Sequence, residues 1–238
     1  MLLVLLDAFH LGDPLFVSQL ARDVAARKEG LVFVHGSGEA GERALEARGV
    51  FPEARGGVWL TASPEEAAEV ERATRDLNRR LVHEMNEAGV PAIRAMAADR
   101  GLVLLDEAGG VRAGRTAWLS RLVEQGGVAV VASLVTEPSA SGAAAALVEV
   151  DAALTAAVLA RALGADAVAV LVTGRAAGIA GPDGVRLDAP LADAEAGGTL
   201  PDGPLVRRLA EAFPGAVYAV QAASLRAPGA PVGTRLTL

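Results

Sequence analysis

The chain contains no cysteine and one lysine, Lys28; all its other basic residues are arginine. Disulfides and thiolate metal sites are therefore excluded, and any chemistry needing an ammonium side chain must use Lys28 or do without. Aromatic residues make up 3% of the sequence against 52% hydrophobic residues. The core is accordingly expected to be aliphatic, built from Ala, Val and Leu. There is no basic excess: a net charge of −7 argues against duplex nucleic acid or an anionic membrane surface as partner. His10, His35 and His83 lack metal-ligand spacing, so no metal site is expected. No apolar run approaches the roughly 18 charge-free residues of a membrane helix. The opening MLLVLL is too short for a leader and has no basic start, so a soluble, cytoplasmic protein is expected.

What is present alternates. Residues 2–6 and 31–35 form short strand-like runs, separated by helical spacing through Leu15, Val17, Leu20 and Val24. A second helix is expected at 39–48. The clearest helix begins at Ser63, with Pro64 at its first position and Glu66 completing a capping box, and ends at Gly89. A strand at 91–96, a hairpin over 101–115 turning at Glu107–Gly110, a helix at 116–125 and a strand at 128–135 follow. Residues 137–146 read as a loop, 145–163 as an Ala-rich helix, and 167–172 as a buried strand. Residues 174–203, rich in Gly, Pro and Asp, read as a surface excursion, before a helix at 204–212, a strand at 216–221 and a terminal TRLTL. Alternation of this kind implies an α/β fold, a mostly parallel sheet sandwiched between helices in three layers. One domain over 1–238 is expected, with an N-lobe to about 140 and a C-lobe from about 141.

Residues 35–41, HGSGEAG, spell a glycine-rich strand-to-helix turn at Gly36, Ser37 and Gly38. Two readings stand level: a tight turn without ligand, or a cradle whose N–H groups and helix dipole hold a phosphate or acyl group. A dinucleotide turn fits less well, because no Asp or Glu suits the ribose about 20 residues on. His35 reads as a structural histidine or a base, and Asn78 as a substrate contact or an ordinary polar position. Glu149 and Asp151, if both helical, would point about 200° apart and could not form one dyad.

Several strings together resemble the amino-acid kinase family, nearest to N-acetylglutamate kinase and aminoadipate-type kinases. LVFVHGSG is similar to the family's strand and V-H-G-G-G turn, GGVWLTASPEE to its G-L-R-V-T segment, and RDLNRRL to its N-K-x-L helix. WLSRLVEQGGVAVVASLVTEP, VEVDAALTAAVLARALGAD and the final APVGTRLTL resemble later family segments in the right order. The resemblance implies ATP with Mg, a carboxylate of an N-acylated acidic amino acid as phosphoryl acceptor, and a place in arginine or lysine biosynthesis. It also implies an acyl-substrate side in the N-lobe, a nucleotide side in the C-lobe, and a homodimer or association with a kinase homologue.

Carried over by position, the resemblance puts substrate binding at His35, Gly36, Ser37, Gly38, Trp59, Asn78, Glu149 and Asp151. Nucleotide binding falls on Thr173 and Gly178, and the late-helix cation on Arg207 as the catalytic residue. The departures are chemical. Leu5 stands at the first-strand lysine, Asp7 and Ala8 at the following glycines, and Trp59 at the substrate arginine. Ala153 stands at the aspartate that would organise the lysines. Two functions follow: an acetylglutamate-type kinase, or a catalytically silent relative kept for binding a ligand or a partner.

Overall fold

The computed structural model describes residues 1–106, 109–137, 146–173, 178–181, 184–185, 187–229 and 231–238. β1 (Leu2–Leu6) leads through α1 (Ala8–Gly12) and α2 (Pro14–Ala25) to β2 (Leu31–His35). α3 (Gly38–Glu46) and a small hairpin, β3 (Ala54–Arg55) and β4 (Val58–Trp59), precede the long α4 (Pro64–Glu87). Next come β5 (Ala92–Met96), the β6 (Val103–Leu105) and β7 (Val111–Ala113) hairpin, α5 (Ala117–Glu124), β8 (Val128–Ala132) and β9 (Leu134–Thr136). β10 (Leu147–Glu149) pairs antiparallel with β9 and hands over to α6 (Ala152–Ala162) and β11 (Ala167–Leu171). The chain ends with β12 (Ala180–Gly181), β13 (Gly184–Val185), β14 (Asp188–Pro190), α7 (Leu191–Ala196), α8 (Gly203–Ala212), β15 (Ala216–Val220) and β16 (Thr234–Thr237).

Eight strands form one sheet in the order β14-β16-β15-β11-β1-β2-β8-β5. The run from β15 to β5 is parallel; β16 pairs antiparallel with β15 and parallel with β14. Period-two alternation divides β1 between two cores. Leu3 and Leu5 join Leu119 of α5, Leu159 of α6 and Leu209 of α8, whereas Leu2, Val4 and Leu6 join Leu20 of α2 and Leu81 and Met85 of α4. This is the expected three-layer sandwich. The alanines of α6 are its packing surface: Ala153, Ala156, Ala157 and Ala160 are fully buried, which lets the helix lie close to the sheet.

Local chemistry sets the boundaries of α4. Ser63 Oγ accepts from the Glu66 amide at 3.2 Å, while Glu66 reaches back to the Ala62 amide at 2.6 Å. Its apolar stripe, Val70, Leu77, Leu81 and Met85, is buried.

Three expectations need correction. Residues 145–163 are not one helix: Leu147–Glu149 is a strand, and α6 begins only at Ala152, after the Asp151 cap. The strand expected at 128–135 breaks at Ser133, whose amide bonds the His35 carbonyl and whose carbonyl accepts from Val150. Within 174–203, β14 and α7 contribute Ala189, Leu191 and Ala194 to the core. The turn residues 107–108, most of the 137–146 loop and residues 174–177 lie outside the described residues.

Both outer strands are blunted. On β5, the Asn86 side chain bonds both the N–H and the C=O of Ala92, and Asp99 accepts from the Met96 amide at 2.8 Å. On the opposite edge, β14 is three residues long and ends in Pro190. No helix among the described residues is long and apolar enough to cross a membrane.

Candidate functional site

Order in the sheet reverses about β1, with β2 on one side and β11 on the other. Ligands of open α/β sheets bind beyond the carboxyl ends of the strands at such a switch point. Here helix starts converge there, each with its own carboxylate. Asp7, directly after β1, accepts from the His10 amide at 2.9 Å and pairs with His10 Nδ1 at 2.7 Å. Asp151 accepts from the Ala153 amide at 2.8 Å, and Asp202 from the Leu205 amide at 2.9 Å. These caps satisfy orphan N–H groups and set three aspartates around one cleft.

A fourth carboxylate sits on the glycine turn. Glu149, at the end of β10, accepts from both the amide and the hydroxyl of Ser37, the hydroxyl at 2.8 Å. A Cβ on Gly36 would lie 2.9 Å from Glu149 Oε1, so glycine is needed for this approach. Gly38 opens α3 with φ +51 beside Ala8, a conformation that also favours glycine. Burial pushes the Glu149 carboxyl up to about 7; the two bonds from Ser37 oppose that rise and the charge of Asp151 adds to it.

Trp59 closes the other side of the turn, its Nε1 donating to the Gly38 carbonyl at 3.1 Å. The hairpin that carries it brings Gly57 against the guanidinium of Arg208, and Arg208 Nε donates to Asp151 Oδ2 at 2.6 Å. The Asp202 carboxyl is raised by burial above all, with the charges of Asp7 and Asp151 adding and the Leu205 amide and Arg208 opposing. Three aspartates and one arginine thus sense one another across the cleft.

His35 and Asn78 lie beneath this layer, both buried. The Gly36 carbonyl, 2.8 Å from Nδ1, can only accept, and Asn78 Nδ2, 3.0 Å from Nε2, donates. The proton is therefore on Nδ1. The same Asn78 nitrogen donates to the Val130 carbonyl at 2.9 Å. Burial lowers the His35 pKa to about 4 against the bond to Gly36, so the imidazole is neutral at pH 7.

The structure thus brings together Gly36, Ser37, Gly38, Trp59, Glu149 and Asp151 at the cleft, with His35 and Asn78 committed to the core below. Glu149 and Asp151 belong to different elements, contrary to the helical expectation for both. Arg207 turns away to pair with Glu195, whereas its neighbour Arg208 faces the cleft. Thr173 donates from its amide to the Thr199 carbonyl at 3.2 Å. Gly178 packs on β16, where a Cβ would meet Thr234 at 2.7 Å. Sequence reading gave the catalytic role to Arg207 rather than its neighbour Arg208, and missed Asp202 and His10. An Asp-Gly-Pro helix start marks Asp202, but nothing in the string RR tells one arginine from the other.

Comparison with known proteins agrees with this architecture. A family model described as the amino acid kinase family matches residues 9–174. Among solved structures, smu.665 from Streptococcus mutans UA159 superposes with a TM-score of 0.66 at 19% identity, covering 99% of this chain and 98% of that one. N-acetylglutamate synthase from Neisseria gonorrhoeae, complexed with coenzyme A and N-acetyl-glutamate, gives 0.70 at 17% identity, covering all of this chain and 59% of the synthase. Isopentenyl phosphate kinase from T. acidophilum gives 0.60 at 14% identity, with both chains covered completely. No curated protein matches the chain.

Proposed function

The chain belongs to the amino acid kinase family, and on that premise we propose that it is a catalytically silent member of the acetylglutamate-kinase type, retained as a binding or partner subunit. Its ancestral reaction is the ATP-dependent phosphorylation of a side-chain carboxylate on an N-acylated acidic amino acid. The observation that carries the reading is the charge of the cleft. Phosphoryl transfer spreads negative charge over the transferred group, and catalysis consists largely of positioning cations and N–H donors around it. This cleft sets Arg208 as the cation beside three aspartates, and Arg208 is already tied to Asp151. Leu5, at the position where the resemblance expects a lysine, is buried in the core. Losing one transition-state donor typically costs about 3–4 kcal/mol, and here several are replaced at once.

Among the described residues, no three His, Asp or Glu side chains come together to hold a metal ion. Mg would therefore have to enter with the nucleotide, held by its phosphates and at most one or two of the cleft aspartates.

A hydroxamate trap tests the reading: protein, Mg-ATP, N-acetylglutamate and hydroxylamine, with calorimetry on each ligand alone. The expected result is no hydroxamate above background and no heat of binding for Mg-ATP. Hydroxamate that forms and then disappears in Arg208→Ala would overturn it. That outcome would establish a working kinase in which an arginine has replaced the lysines, the reading favoured by the inward position of Arg208.

A further inference from the structure

We propose that Glu149 is the specificity-determining residue of the cleft: its carboxylate is a resident anion on the glycine turn, and it keeps that turn closed to external phosphate and carboxylate groups. The proposal deepens the functional reading above and rests on it in placing the ligand cleft at this end of the sheet. The amide of Ser37 at the start of α3 is the kind of donor that holds an oxyanion at a helix N-terminus. In this chain Glu149 takes both that amide and the Ser37 hydroxyl.

Three further contacts show that the carboxylate is seated rather than grazing the turn. Gly36 has no room for a Cβ beside Oε1, at 2.9 Å. Trp59 closes the far side through the Gly38 carbonyl. The strand that carries Glu149 is held in register, Glu149 pairing with Leu134 across β9 and β10. Its neighbour Val150 then donates to the Ser133 carbonyl at 2.9 Å. An external oxyanion therefore has to displace a tethered carboxyl that is already bonded twice and that, once ionised above about pH 7, repels it.

Charge on the surrounding elements adds to the exclusion. Asp151 caps α6 two residues along the chain, and Asp202 caps α8 across the cleft. His35, on the β2 side, is neutral and brings no compensating charge. Arg208, the nearby cation, is engaged by Asp151.

The probe is inorganic phosphate, followed through the backbone amide resonances of Ser37, Gly38 and Glu39 at pH 8. In the natural chain these are expected to stay in place up to millimolar phosphate. In Glu149→Ala they should shift saturably, with affinity raised roughly tenfold or more, as expected for vacated donors at a helix N-terminus. Glu149→Gln keeps the volume and gives up the charge, and its affinity should fall between the two. It also keeps the test alive if the alanine variant does not fold. Saturable shifts at Ser37 in the natural chain, or no gain in the folded variants, would overturn the proposal. The hydroxamate assay reads turnover and this titration reads occupancy of the turn, so either can fail without the other.

Discussion

Two polar clusters share one end of the sheet and resolve burial in opposite ways. In the His35–Asn78 pair each nitrogen at the contact has a fixed role: Nδ1 donates, Nε2 accepts, and Asn78 serves both the histidine and Val130. The pair is neutral and behaves as part of the core. Around the cleft, Asp7, Glu149, Asp151 and Asp202 each accept from a helix start; Asp7 pairs with His10 and Asp151 with Arg208, while Glu149 and Asp202 are held by the Ser37 and Leu205 donors. A neutral, matched pair therefore marks structure, while carboxyls held by neutral donors mark the surface on which binding is decided.

The sharpest way to break that comparison is to unmatch the core pair. Asn78→Leu leaves His35 Nε2 buried without a donor, while the Val130 carbonyl keeps its sheet partner on β5, and should cost about 2–3 kcal/mol in chemical denaturation. A loss below about 1 kcal/mol would show that the pair is not the structural unit described here.

Removing charge from the cleft should act in the opposite direction. The raised Glu149 pKa, about 7 against 4.5, means that the folded state holds its proton more tightly than the unfolded chain. Stability from this group is fully present below about pH 4.5 and is lost as pH rises to 7. Glu149→Gln removes that loss, so its gain over the natural chain should grow to about 2 kcal/mol at pH 8 and vanish near pH 4. His35 has the reverse slope: lowered to about 4 from 6.5, it costs stability as pH falls through that interval. The two slopes oppose each other between pH 4.5 and 6.5. Melting temperatures of the natural chain should change little there, whereas Glu149→Gln should become acid-sensitive.

A smaller effect separates the adjacent arginines. Arg208→Ala strips the partner from a buried aspartate and should cost about 1–2 kcal/mol, whereas Arg207→Ala removes an exposed pair and should cost under about 0.5 kcal/mol. Equal costs in thermal denaturation would erase the distinction between the cleft-facing and solvent-facing residue.

Much of the scaffold was legible because its signals are local. The capping box at Ser63, the apolar strands at 2–6, 31–35 and 167–172, and the terminal strand all stand where spacing and turn residues put them. The Ala-rich stretch after 145 misled because alanine favours helix and carries no period, so nothing local marks β10; its strand pairing with β9 is a tertiary contact. At the site, the glycine turn was visible as a string, with both its bland and its binding reading. That its donors are taken by a glutamate more than a hundred residues later was not. The choice between Arg207 and Arg208 depends on how α8 is rotated, which hydrophobic patterning sets only approximately.

The blunted sheet edges bear on how copies of this chain behave in a crowded solution. Asn86 mimics a neighbouring strand at Ala92, Asp99 takes the Met96 amide, and Pro190 ends the opposite edge. An eight-stranded sheet with such an aliphatic core would otherwise offer a template at each end for another chain to add a strand and seed fibrils. With Asn86→Ala, the Ala92 peptide is exposed, and lag times for thioflavin-positive aggregation should shorten while the fold below the edge stays intact. Growth of the sheet at the β5 edge thus meets a carboxamide and a carboxylate in place of a free strand.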